Sequence, residues 1–113
     1  MSLCDLVAAR AGYRCEYCHA PEVLFNHRFP GDHIIPRIHD GSDDVENLAL
    51  ACHSCNGRKY QKRMGIDIAR RKLTRLFNPR QDEWDERFHW NHTKTRITGL
   101  TAIGRTTIAA LNI

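Results

Sequence analysis

The 113-residue chain contains no apolar run approaching the ~20 residues that a membrane span needs. Its opening, MSLCDLVAAR, breaks its only apolar patch with Asp5 and so does not read as a secretory leader. Extremes of composition are missing too: 42% of the residues are apolar and 27% charged, the proportions of a folded soluble protein. These absences argue against membrane and secreted classes and point to a cytoplasmic chain forming one domain over residues 1–113. In that compartment thiols stay reduced, and paired cysteines hold metal more often than they form disulfides.

The net charge of +4 hides an uneven distribution. Residues 1–57 carry four basic against eight acidic side chains, and residues 81–113 carry four of each. Between them, residues 58–80 carry nine basic side chains (Arg58, Lys59, Lys62, Arg63, Arg70, Arg71, Lys72, Arg75 and Arg80) against Asp67 alone. A block of one sign suits a polyanion, most simply nucleic acid, although charge alone fits a solvated face equally well.

Four of the five cysteines form two knuckles, Cys15 and Cys18 in RCEYCHA and Cys52 and Cys55 in ACHSCNG. The two-residue gap lets both thiolates of a knuckle reach one ion, and two knuckles complete a closed tetrahedral zinc site with no open position for substrate. His19 and His53 adjoin the knuckles, but four thiolates make them unnecessary as ligands. Cys4 lacks a partner and reads as a small apolar residue of a first helix. A zinc deaminase is excluded, because its His-x-Glu and Pro-Cys-x-x-Cys pattern is missing and a four-thiolate zinc activates no water.

The knuckles lie far apart. Residues 19 to 51 separate them, a span of 33 where simple zinc modules use ~15–20. Zinc therefore staples the ends of a long insert, and chemistry must come from that insert. The first helix is expected to be capped by Ser2, with Asp5 three residues on and Gly12 as its stop. VLFNHRF (23–29) and DHIIP (32–36) read as two strands of a hairpin joined through Pro30-Gly31. HDGSDD is a turn-rich loop, and VENLALACHSCNGRKYQKR runs into a helix through the second knuckle. Segment 66–80 fits either a helix or a short hairpin. Downstream, DEWDERFHW reads as a packing strap, TRITGL as a strand, and Thr101 as the cap of a last helix carrying Ile103, Ile108 and Leu111.

On this sketch His33, Asn47 and Asn56 converge. Here the sequence resembles the HNH endonucleases, specifically the small stand-alone bacterial type, through CEYC, DHIIPR, ENLALAC, CNGRK and the tail from LFNPR to ITGLT. The resemblance implies an α+β, zinc-stapled ββα-metal (treble-clef-like) domain with an N-terminal helix and a C-terminal strand and helix tail. Its core covers about residues 10–65, the basic segment 58–80 and the tail 81–113. It also implies a metal-dependent DNA endonuclease, with double-stranded DNA as partner and weak sequence specificity.

Under that resemblance His33 is the general base, and Asp32 and Asn56 hold one divalent ion, Mg²⁺ or Mn²⁺ with Ni²⁺ as a further option. Asn47 supports the loop and the imidazole. The third motif position is Asn56 where His is more common. Arg58, Lys59, Lys62 and Arg63, with Arg37 of DHIIPR, would grip phosphates flanking the cut. One geometric obstacle stands: neighbouring strand residues point to opposite faces, so Asp32 and His33 share a site only if the pleat breaks between Gly31 and Pro36.

Each residue also has an ordinary structural reading. His33 can be a surface group, and Asn47 and Asn56 can be helix caps. Singly, those readings are the better ones; together and framed by the knuckles, the nuclease reading is. The rival class is a non-catalytic zinc-ribbon module that binds nucleic acid, which has no need of Asp32, His33 and Asn56 together.

Overall fold

A computed structural model describes residues 1–113. Helix α1 spans Leu3–Arg10; the Ser2 hydroxyl accepts from the Asp5 amide while the Asp5 carboxylate accepts from the Ser2 amide, and the helix buries Val7 and Ala8. Cys4 lies on this helix without a partner, as expected, and is exposed. Strand β1 (Gly31–His33) pairs antiparallel with β2 (Leu48–Leu50), Asp32 lying opposite Ala49 and His33 opposite Leu48. Helix α2 (His53–Lys59) is capped by the Cys52 sulfur, which accepts from the Cys55 amide.

The expected 23–29 strand does not form. Residues 22–24 make a single 3₁₀ turn with Val23 86% and Leu24 76% exposed, because β1 takes its partner from beyond the loop instead. The helix expected through the second knuckle does form, and its start, open in the sequence, lies well after Val45. Residues 45–47 make a 3₁₀ turn, 48–50 become β2 with all three residues buried, and the helix begins at His53.

Beyond α2 the chain forms a hairpin of β3 (Met64–Asp67) and β4 (Lys72–Arg75), which settles segment 66–80 in favour of extended chain. A short helix α3 (Trp84–Arg87) leads into β5 (Phe88–Trp90), paired with β6 (Ile97–Gly99), and α4 (Ala102–Leu111) is capped by the Thr101 hydroxyl. Gly104 lets α4 approach the tail closely, since a Cβ there would lie 2.1 Å from the Arg87 carbonyl oxygen. No helix is long and apolar enough to cross a membrane.

One core joins these parts. Val7, Phe29, Leu48, Leu50, Phe77 and Phe88 pack in a cluster that also contains Cys15, Cys52 and Cys55. The tail closes over the first knuckle, where the Trp84 indole donates to the Tyr17 carbonyl at 2.9 Å and stacks on His19 at 3.9 Å. Glu16 ties that knuckle to β2, its amide donating to Leu50 O and its carboxylate accepting from Leu50 N, each at 2.8 Å, and it pairs with Arg80 as well.

Candidate metal centre and nucleic-acid interface

The four knuckle sulfurs lie within 4.8 Å of one another. Cys18 and Cys52 are 3.7 Å apart, against the ~3.8 Å edge of a tetrahedron built on ~2.3 Å zinc–sulfur bonds. Backbone amides support the sulfurs as a knuckle requires: Cys18 N donates to Cys15 Sγ at 3.5 Å and Cys55 N to Cys52 Sγ at 3.4 Å. The three neighbouring thiols push the Cys52 thiol far down by hydrogen bonding to it. Four buried or half-buried thiols with no competing acid among them support a structural zinc ion.

Strand β1 presents two different sites on its two faces. Inward, Asp32 is 3% exposed; the Tyr17 hydroxyl donates to Oδ2 at 2.7 Å, and Lys59 Nζ lies 3.1 Å from Oδ2 and 3.3 Å from Oδ1. Lys59 is 1% exposed, and its ammonium also donates to the carbonyls of His33 at 2.8 Å and Ile34 at 3.2 Å. Burial raises the Asp32 carboxyl, and the Lys59 charge and the Tyr17 hydroxyl oppose that rise. This arrangement corrects the expectation for Lys59, which grips β1 instead of phosphate.

Outward, His33 faces Asp43, with Nε2 at 2.8 Å from Oδ1. Arg37 Nε donates to the same oxygen at 2.8 Å and, with His33, holds the Asp43 carboxyl below its ordinary value. An ionised carboxylate only accepts, so His33 donates from Nε2, and in the neutral form of the ring the lone pair is then on Nδ1. Asn47 fixes the intervening loop: Oδ1 accepts from Ile35 N at 2.9 Å, and Nδ2 donates to Ile35 O at 3.0 Å and to Ser42 O at 2.7 Å. His33 and Arg37 border a cavity of about 360 Å³ floored by Val7, Phe29, Leu48 and Leu50.

The pleat therefore does not break, and Asp32 and His33 are not brought to one site. Asn56 sits half-buried on α2, one turn before Lys59 and on the same helix face. An ion shared between Asp32 and Asn56 would meet the Lys59 ammonium already beside both carboxylate oxygens. As folded, this donor set does not fit a divalent ion. Asp43 was missed by sequence reasoning, which took HDGSDD only as a turn; its place opposite His33, ten positions back, has no local signature.

Of the basic block, Arg58, Lys62, Arg63, Arg70, Arg71 and Lys72 are exposed. Arg75 is instead paired with Asp82 at 2.7 Å, and Arg80 with Glu16. The surface is thus smaller than the block, but still of one sign.

A protein-family model described as HNH endonuclease matches residues 15–62, the stretch from the first knuckle to the end of α2 and just beyond. The protein named Anaredoxin from Nostoc sp. (strain PCC 7120) is 36% identical over 58 residues, covering 51% of this chain and 71% of that protein. The chain belongs to the HNH endonuclease family. The HNH stretch contains all four knuckle cysteines together with His33, Asn47 and Asn56. No solved structure matches the chain.

Proposed function

We propose that this HNH protein, acting as one domain over residues 1–113, is an endonuclease that hydrolyses phosphodiester bonds of double-stranded DNA with little sequence preference. The observation that carries this reading is the oriented imidazole: His33 sits at the edge of β1, held by Asp43 on one nitrogen, on a loop clamped by Asn47. Its Nδ1 takes a proton from water as the water oxygen bonds to phosphorus, and the leaving ester oxygen is protonated by solvent. Arg37 stands beside the dyad and offers positive charge to the phosphorane. Arg58, Lys62 and Arg63 hold flanking phosphates. A four-thiolate zinc site belongs in a reducing compartment, which for this chain is the cytoplasm.

No step is assigned to a divalent ion, because Asp32 is committed to Lys59. Supercoiled-plasmid cleavage in Mg²⁺, Mn²⁺, Ni²⁺ and chelator is the direct test. Ion-dependent cutting that disappears in Asp32→Asn would mean that DNA and ion pull Asp32 away from Lys59. The same ion pair favours a second reading, a non-catalytic nucleic-acid-binding module, and that reading takes over if wild type cuts under none of these conditions.

A further inference from the structure

The β3–β4 hairpin has two unlike faces. Inward, it packs on α4: a Cβ at Gly65 would lie 2.8 Å from the Thr106 methyl carbon, and Asp67, 1% exposed, accepts from Arg105 at 2.9 and 3.2 Å. Outward, Ile66 and Leu73 stand directly opposite each other in the register, 55% and 67% exposed, with Ile68 at 75% beside the turn. The tip carries Arg70, Arg71 and Lys72, all exposed, while the hairpin's one acid is already committed to Arg105. At its base, Arg63, Arg75 and Leu76 border one depression with Ile34 and Ile35, the residues that follow His33.

Aliphatic pairs on an exposed ribbon are costly in water unless something covers them. Three uncompensated cations around that pair select a partner that offers apolar surface flanked by negative charge. A duplex groove does so, with base edges and sugars between two rows of phosphates. Four paired residues make a ribbon about 14 Å long, and the major groove is about 12 Å wide and 8.5 Å deep.

We propose that the β3–β4 hairpin seats in a groove of duplex DNA beside the phosphate presented to His33. Arg70, Arg71 and Lys72 grip the phosphate rows, and Ile66, Leu73 and Ile68 cover base edges and sugars. This rests on the DNA reading above and adds the element that distinguishes duplex from single strand.

The test is binding of wild type and hairpin variants of the full chain to a ~20-base-pair duplex and to one of its strands, across ~50–200 mM salt. Arg70→Gln/Arg71→Gln/Lys72→Gln should flatten the slope of log affinity against log salt by about 2.7, from ~0.9 per phosphate lost. Ile66→Thr/Leu73→Thr should weaken duplex binding about tenfold, or ~1.4 kcal/mol, at unchanged slope and unchanged single-strand affinity. Ile68→Ser, outside the paired strands, should act in the same direction without touching the fold. Wild-type-like duplex binding by these variants, while Arg58→Gln/Lys62→Gln/Arg63→Gln still weakens it, would overturn the hairpin proposal alone. Failure of wild type to bind any duplex would overturn it together with the DNA reading. Altered sedimentation of Ile66→Thr/Leu73→Thr with unmoved DNA affinity would make the patch a protein interface and overturn it too.

Discussion

The inner and outer faces of β1 are one residue apart and chemically opposite. Asp32 is sealed against Tyr17 and Lys59 and balances a buried charge, while His33 stands at the rim with one nitrogen held and the other free. Adjacency in a motif thus places two residues on one strand without placing them in one site. The inner face fixes the strand, through Lys59 and the His33 and Ile34 carbonyls, and the outer face carries the proposed base.

Removing the frame breaks both faces at once. Cys52→Ser should give insoluble or unfolded protein without zinc, because structural zinc contributes about 10–16 kcal/mol of apparent binding energy to folding. Metal content by atomic emission, with circular dichroism on any soluble fraction, checks it; a folded zinc-free variant would refute it. Next in size, Lys59→Met leaves Asp32 buried and unpaired and should cost about 3–5 kcal/mol in urea unfolding. Replacing the whole group in Tyr17→Phe/Asp32→Leu/Lys59→Met should recover part of that loss, the result expected of a structural pair.

The outer face should respond in the opposite manner. His33→Ala should keep zinc content, melting temperature and DNA affinity while lowering single-turnover cleavage by about 10²–10⁴. Cutting at the wild-type rate would remove His33 from the mechanism. Outside both faces, Asp82 accepts from Arg75, with a further pairing to Arg87, and the Arg75 bonds lower its pKa from the ordinary 3.8 to about 2. A group depressed in the folded state stabilises above its unfolded pKa, so this small contribution should fade as pH falls from about 4 to about 2. Comparing the acid unfolding of Asp82→Asn with wild type isolates it; identical acid limbs would show that the pair contributes nothing.

Features set by neighbours in sequence were legible before the fold was known. The knuckles are i, i+3 pairs, the Ser2 and Thr101 caps act within one turn, and each is found where spacing put it. The TRITGL strand follows the same local logic, whereas segment 66–80 was locally ambiguous and only its packing makes it a hairpin. What stayed hidden depends on distant partners. The apolar 23–29 run lost its strand because β1 pairs with residues 48–50, and Val23 and Leu24 went to solvent. Lys59 looked like Lys62 until Asp32, 27 residues earlier, proved to lie beneath it. Asp43 meets His33 only because Asn47 closes the loop between them.

The distance between the knuckles also has a meaning in time. Cys18 and Cys52 are 34 positions apart, so at about 5–20 residues per second a ribosome delivers the second pair of thiols some 2–7 s after the first. Trp84, which latches onto the Tyr17 carbonyl 67 positions back, emerges later still. During synthesis the first knuckle waits with half a coordination shell and no roof. The nascent chain is therefore most exposed to oxidants and to competing soft metals in that interval, and a cell short of zinc loses this protein at birth, before any mature molecule can surrender its ion.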